Sequence, residues 1–225
     1  MQTSEISSAG IKAVIFDLDG VLSDTDRTRF DLLKILAKKR GLDLKEEDYK
    51  KSVGRRTEIF LKDLFGGVLN DEEIRKIYLE RKEEYHKNPQ SFISPQPHAF
   101  ECCKRLSEEG FTLAIASGAQ SKDIQLVLGE LGVSPYFKVI VGSDMIMKMK
   151  PHPETYLKCV EKLGFAKEEC IAVEDSPTGV AAAKSAGITC VAVLYTHTKE
   201  ELHQADKIIS SLKELTREFI KGLSI

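Results

Sequence analysis

Strand-like segments recur along this chain, and amphipathic helical stretches separate most of them. The strand-like segments are short, apolar and rich in β-branched residues, and they cover Lys12–Phe16, Thr112–Ala116, Lys138–Val141, Cys170–Val173 and Thr189–Leu194. Helical patterns occupy Ala99–Glu109, Ser121–Leu131, Pro153–Leu163 and Ser176–Ala186. Buried strands that alternate with helices are typical of a parallel sheet covered on both faces. The pattern therefore predicts an α/β fold.

One long segment, residues 26–88, breaks this alternation. It contains helical patterns at Phe30–Lys39, Thr57–Leu64 and Asp71–Tyr85, and no convincing strand. Since it is inserted between the first two predicted strands, we expect a small all-helical second lobe over 26–88. The α/β core is then expected over 11–25 and 89–225, after a flexible polar lead-in over 1–10.

The composition excludes several classes of protein. Apolar residues make up 42% of the chain, charged residues 30%, and the net charge is −2, which gives no sign of a nucleic-acid or membrane partner. The longest apolar runs are far too short to span a bilayer. The five cysteines are odd in number and show no CxxC spacing, so we expect reduced thiols in the cytoplasm rather than disulfides or a zinc site. A monomer is expected, and an oligomer stays open.

Polar side chains cluster where the predicted strands end or shortly after. They are Asp17, Asp19, Ser117, Lys150, Glu174 and Asp175, with Gly20 and Gly118 beside them. Ligands of open parallel sheets bind at the carboxyl ends of the strands, so we expect these residues to meet there. The acids alone would repel one another, and a divalent cation such as Mg2+, together with Lys150, would compensate for their charge. The Ser117 hydroxyl and free backbone amides suit anionic oxygens.

The segments DLDG, ASGA, KP and VEDS, in this order, resemble the four motifs of the haloacid dehalogenase superfamily. The helical insertion resembles its helical-cap subclass, and DLDGVLSDT and AVEDSPTGVAAAKSAG are similar to the β-phosphoglucomutase-like phosphatases. This resemblance covers nearly the whole chain after residue 10. It implies a Rossmann-like parallel core with a helical cap, a Mg2+ cofactor, a phosphorylated small-molecule substrate and an aspartyl-phosphate intermediate.

The resemblance also implies a role for each motif residue. Asp17 matches the nucleophile, and Asp19 matches the general acid and base, whose backbone carbonyl matches a metal ligand. Lys150 matches the cation that holds the nucleophile and the phosphoryl oxygens, while Ser117 and Gly118 match the phosphate-binding position. The implied metal ligands are Asp17, Asp19, Glu174 and Asp175. Direct or water-mediated binding by Glu174 is left open.

The helical insertion is expected to select the substrate. By the resemblance, Lys51 and Arg55 match cap positions that contact the substrate, and the neighbouring Arg56 is an alternative. A second interpretation is that these residues form a basic loop facing solvent. The mutases of this subgroup carry a histidine in the first cap helix where this chain has Arg29. That departure favours a hydrolase, and Arg29 is a candidate contact for an anionic substrate group.

Three functions follow from the sequence. The favoured one is a Mg2+-dependent phosphatase acting on a small, sugar-phosphate-like metabolite. The alternative is a phosphosugar mutase of the β-phosphoglucomutase type. A non-catalytic phospho-ligand-binding module would require the loss of the nucleophile or the lysine, and both Asp17 and Lys150 are present.

Overall fold

The computed structural model describes residues 10–52 and 57–223, except for the side chain of Lys50. The predicted substrate residue Arg55 and its neighbour Arg56 lie outside the described residues. The chain divides into a compact helical unit, Asp24–Ser94, and an α/β unit formed by the chain before and after it. The predicted lobe boundaries at 26 and 88 therefore lie within the helical unit, and its action as a cap stays a prediction.

The α/β unit is built on six parallel strands. They are β1 (Ala13–Phe16), β2 (Thr112–Ala116), β3 (Phe137–Val141), β4 (Cys170–Glu174), β5 (Thr189–Val193) and β6 (Lys207–Ile209). Their order across the sheet is β3-β2-β1-β4-β5-β6, which confirms the predicted α/β fold. The first five strands lie within one residue of the predicted bounds. The sequence analysis missed β6 because three residues beginning with an exposed lysine give no apolar run.

The order of the strands places a ligand site next to β1. The chain passes from β1 outwards to β2 and β3, and then returns to the other side of β1 with β4. Such a reversal opens a crevice at the carboxyl ends of the strands. Phe16 of β1 pairs with Val173 of β4, and the backbone amide of Asp17 donates to the Val173 carbonyl at 2.9 Å. Asp17 and Glu174 therefore leave the sheet side by side.

Helices cover the sheet of the α/β unit. They are α5 (Ala99–Glu108), α6 (Ser121–Glu130), α7 (Glu154–Leu163), α8 (Pro177–Ser185) and α9 (Arg217–Lys221). A buried cluster joins Ile15 and Ala172 of the sheet to Tyr156 and Cys159 of α7. The five cysteines are buried free thiols, as the sequence predicts. Among the described residues, none of the helices has the length and apolar character required to cross a membrane.

The helical unit has a core of its own. Its helices are α1 (Thr25–Lys38), α2 (Tyr49–Ser52), α3 (Thr57–Phe65) and α4 (Asp71–Lys87). Phe30, Phe60 and Ile77 are buried in one apolar cluster from three of these helices. Asn70 begins α4 with a capping box, because its side chain accepts from the Glu73 amide and Glu73 accepts from the Asn70 amide. This capping and the apolar stripe explain why the segment folds as helices.

Candidate active site

The centre of the site is an ammonium group held between two carboxylates. Lys150 Nζ donates to Asp17 Oδ1 and to Glu174 Oε1, each at 2.6 Å, and to the Ala116 carbonyl at 2.9 Å. Its side chain is 12% exposed and that of Glu174 is fully buried. Asp17 and Lys150 are 133 residues apart in sequence. The strand ends therefore bring distant residues into one buried ion cluster.

Glu174 accepts hydrogen bonds on both carboxylate oxygens. Besides Lys150, the Tyr156 hydroxyl donates to Oε1 at 2.8 Å. Oε2 accepts from the Asp175 amide at 3.1 Å and from the Ser176 hydroxyl at 3.2 Å. Donors to both oxygens compensate a buried carboxylate for the water that it has lost. The arrangement fixes Glu174 and, through it, the position of Lys150.

Three carboxylates converge next to this lysine. Ligand oxygens of Asp17, Glu174 and Asp175 all lie within 4.8 Å of one another, and the three residues are buried. Two glycines make room for them, because a Cβ atom at Gly20 would lie 2.0 Å from Asp175 Oδ2 and one at Gly179 would lie 1.9 Å from Glu174 Oε1. Gly20 also has a φ of +84°, which side-chain-bearing residues rarely adopt. The absence of a side chain at these two positions thus leaves the space that the carboxylates occupy.

The acidic groups outnumber the basic ones at this position, because the carboxyl groups of Asp17, Glu174 and Asp175 lie together and Lys150 contacts two of them. Burial raises the pKa of Asp17 to about 8, although Lys150 acts to lower it, and the charges of Glu174 and Asp19 raise it further. Burial alone would lower the pKa of Lys150, but Asp17 and Glu174 outweigh it and raise that pKa. Hard oxygen donors with excess negative charge fit a divalent cation such as Mg2+.

The remaining motif residues line the same edge of the sheet. Asp19 is half-buried, and its negative charge acts to raise the pKa of Asp17. Ser117 follows β2 and is fully buried, with its hydroxyl oxygen accepting from the Ala119 amide at 3.1 Å. A Cβ atom at Gly118 would lie 3.1 Å from the Met149 methyl group. The predicted motif residues of the α/β unit therefore lie at the ends of neighbouring strands or, for Lys150, in the loop that follows β3. Their catalytic roles stay predictions.

Two of the three predicted substrate residues, Lys51 and Arg29, form ion pairs within the helical unit. Lys51 is exposed, and its Nζ lies 2.9 Å from Asp48 Oδ1. Arg29 is on α1 and donates to Asp26 Oδ1 at 2.8 Å. Arg55 lies outside the described residues. The roles of these three residues as substrate contacts stay predictions.

The sequence analysis missed several neighbours of the cluster. Tyr156, on α7, contacts Glu174 through its hydroxyl, and its ring centroid lies 4.8 Å from Lys150 Nζ. Thr196 donates to the carboxylate of Asp175, and His197 Nδ1 lies 2.9 Å from the Asp175 carbonyl. A tyrosine on the apolar face of a helix is ordinarily a packing residue. The sequence around Tyr156 therefore gave no indication that its hydroxyl contacts Glu174. The loop after β5 that carries Thr196 and His197 has no motif.

Comparison with known proteins identifies the class of enzyme to which this fold and site belong. The haloacid dehalogenase-like hydrolase family matches residues 14–193, from β1 to the end of β5. The chain belongs to this family, which confirms the predicted resemblance and identifies the protein as a hydrolase.

Particular relatives are similar over most of the chain. A phosphoglycolate phosphatase of Aquifex aeolicus is 30% identical over 208 residues, which cover 92% of this chain and 96% of that protein. A phosphorylated carbohydrates phosphatase of Thermotoga maritima is 30% identical over 178 residues, covering 79% and 82% of the two chains. The crystal structure of β-phosphoglucomutase from Clostridium difficile matches with a TM-score of 0.74 and 27% identity, covering 94% of this chain and 96% of that one.

Proposed function

We propose that this chain is a Mg2+-dependent phosphatase that hydrolyses a small phosphorylated metabolite, such as a sugar phosphate, through an aspartyl phosphate on Asp17. The observation that carries the proposal is the Lys150 ammonium group, which lies 2.6 Å from both the Asp17 and the Glu174 carboxylate at the strand ends. The relatives named phosphatases for phosphoglycolate and for phosphorylated carbohydrates support this substrate class.

In the first step, a carboxylate oxygen of Asp17 attacks phosphorus and the bond to the ester oxygen breaks. Asp19 gives its proton to the departing alkoxide. Lys150 offsets negative charge on the transferred group, since it is held rigidly by Glu174 and the Ala116 carbonyl. The Ser117 hydroxyl and the Gly118 amide hold phosphoryl oxygens in this proposal.

In the second step, Asp19 takes a proton from water as the water oxygen bonds to phosphorus. The bond between phosphorus and Asp17 then breaks, which releases inorganic phosphate and restores the carboxylate. The proton that Asp19 takes from water replaces the one that left with the alcohol, so the two steps balance.

The proposed metal ligands are the carboxylates of Asp17, Glu174 and Asp175 and the backbone carbonyl of Asp19. A bound Mg2+ would neutralise charge on the phosphoryl oxygens and keep Asp17 ionised despite its burial. Five buried free thiols support a reducing compartment, and we propose the cytoplasm.

A phosphosugar mutase is the second candidate, favoured by the likeness to the β-phosphoglucomutase structure. Arg29, which stands where those mutases carry a histidine, argues against it, because that histidine is associated with the mutase reaction. Phosphate release from a sugar bisphosphate supports the hydrolase, whereas rearrangement without release supports the mutase.

The test is a panel of phosphorylated metabolites and p-nitrophenyl phosphate, with phosphate release measured in Mg2+ and in EDTA. We expect release from several monoesters, its loss in EDTA and its recovery on adding Mg2+. If no ester released phosphate in the presence of Mg2+, the proposed phosphatase function would be overturned. Full activity in EDTA would overturn the proposed metal requirement.

A further inference from the structure

The loop that follows β5 contacts Asp175, one of the carboxylates proposed to bind Mg2+. Thr196 donates to Asp175 Oδ2, and the same hydroxyl oxygen lies 3.2 Å from the Asp175 carbonyl. A threonine hydroxyl carries one hydrogen, which a charged carboxylate oxygen attracts more strongly than a carbonyl oxygen does. His197 Nδ1 lies 2.9 Å from that carbonyl. Two consecutive residues of one loop therefore contact a single proposed metal ligand.

The contact with Thr196 restricts how the Asp175 carboxylate can turn. The last torsion of an aspartate side chain has broad minima, so burial by itself does not fix the plane of its two oxygens. Asp175 is buried, and Gly20 approaches its Oδ2 so closely that a Cβ atom there would lie 2.0 Å away. Thr196 donates to this same oxygen. The hydrogen bond therefore favours one orientation of the carboxylate within a narrow space.

The backbone that carries Thr196 is itself held in place. The preceding residue, Tyr195, donates its hydroxyl hydrogen to the Pro97 carbonyl at 2.7 Å, and the hydroxyl oxygen accepts from the Leu212 amide at 3.0 Å. The Tyr195 amide donates to the Val193 carbonyl at 3.0 Å. These bonds reach three separate parts of the α/β unit. A donor on a backbone fixed in this way can hold a metal ligand within the small positional tolerance that metal binding requires.

We propose that Thr196 is a positioning residue for metal binding, because its hydroxyl holds the Asp175 carboxylate in the orientation that a divalent cation requires. Thr196 acts only through Asp175 and contacts neither the metal nor the substrate. It lies outside the four sequence motifs and outside residues 14–193, which match the family. Hydrogen-bond partners behind a metal ligand typically change metal affinity about 10–100-fold. The inference rests on the proposed function, in which Asp175 binds the metal.

The first experiment measures metal binding without turnover. The full chain is titrated with Mn2+ in the absence of substrate, and free Mn2+ is followed by EPR, since Mn2+ takes the same oxygen ligands as Mg2+. Thr196→Val removes the hydroxyl and keeps the branched shape, and it should raise the Kd for Mn2+ about tenfold. Thr196→Ser keeps a hydroxyl and should restore most of the affinity. Thr198→Val is the control, because Thr198 is exposed in the same loop and its hydroxyl contacts the Glu201 amide.

The outcomes of this titration separate the inference from the proposed function. Equal affinity of Thr196→Val and the wild type overturns the positioning role and leaves the proposed metal site standing. A Thr196→Ser variant that binds as weakly as Thr196→Val also overturns it, since the hydroxyl is then not what matters. If the wild type binds no Mn2+, the proposed metal site fails and the inference fails with it. If Thr196→Val does not fold, Thr196→Ala against Thr196→Ser makes the same comparison.

The second experiment distinguishes positioning of the metal ligand from a general structural role. Phosphate release from p-nitrophenyl phosphate is measured as a function of Mg2+ concentration. In Thr196→Val the Mg2+ concentration at half-maximal activity should rise about tenfold, while kcat and KM for the ester at saturating Mg2+ stay close to the wild-type values. An unchanged Mg2+ midpoint with a lower kcat would assign Thr196 to the stability of the loop and overturn the inference.

Discussion

The Lys150 cluster of the α/β unit and the ion pairs of the helical unit differ in how deeply their charged groups are buried. In the α/β unit, Lys150 and its two carboxylates are buried and fixed by one another. The described ion pairs of the helical unit are more exposed, such as Arg40 with Glu80 at 2.5 Å and side chains that are 26% and 44% exposed. Parallel strands bring residues that are distant in sequence to one edge, whereas a helix face offers mainly local neighbours. The comparison shows that the α/β unit gathers buried charged groups from distant parts of the sequence, and for this reason we expect the reaction chemistry there.

The largest effect should come from Asp17→Asn, which removes the attacking oxygen and keeps the shape. We expect kcat to fall by about four orders of magnitude or more, as in other enzymes that lose a nucleophile. The metal-free variant should not be less stable at pH 7, because the raised pKa of Asp17 means that folding disfavours the charged carboxylate there. Phosphate release and thermal melting measure the two effects, and activity near that of the wild type would contradict the mechanism.

Lys150→Met should damage both catalysis and stability. Removing one partner of a buried ion cluster leaves Asp17 and Glu174 uncompensated, which costs about 3–5 kcal/mol. Urea denaturation without metal measures the change in the free energy of unfolding. Lys148→Met is the control, since Lys148 is exposed and belongs to the same loop. Equal stability of the two variants would show that the cluster does not hold the sheet edge together.

Alanine substitutions at two glycines compare a position where the added Cβ atom would clash with one where it would not. A Cβ at Gly179 would lie 1.9 Å from Glu174 Oε1, so Gly179→Ala should displace Glu174, cost about 1–3 kcal/mol and reduce kcat. A Cβ at Gly129 meets nothing within 4 Å, so Gly129→Ala should stabilise α6 by about 0.5–1 kcal/mol. Denaturation curves and phosphate release are the measurements. Unchanged activity in Gly179→Ala would show that turnover tolerates movement of Glu174.

The smallest expected effect on catalysis is that of Tyr156→Phe. It removes one donor to Glu174 and keeps the ring beside Lys150, so a loss of about 1 kcal/mol, or roughly fivefold in kcat, is expected. KM should change little, because the phenol does not belong to the proposed phosphate-binding groups. Tyr136→Phe, on a partly buried tyrosine away from the cluster, serves as the control. A larger change in KM than in kcat would argue against a positioning role for Tyr156.

The sequence predicted which residues meet at the edge of the sheet better than it predicted the neighbours that surround them. Asp17 and Glu174 could be placed together because buried parallel strands end in acids, and the register follows from the fold. The contact of Tyr156 with Glu174 could not be predicted, since it depends on how α7 packs against the sheet. The residues of short β6 give no periodic signal.

The central claim, that Asp17 takes the phosphoryl group, is tested most directly by 19F NMR with beryllium fluoride, which mimics a phosphoryl group on a carboxylate. With Mg2+ present, the wild-type protein should give protein-bound fluorine signals that disappear in EDTA and are absent from Asp17→Asn. Bound signals that persist in Asp17→Asn would contradict the assignment of Asp17 as the nucleophile.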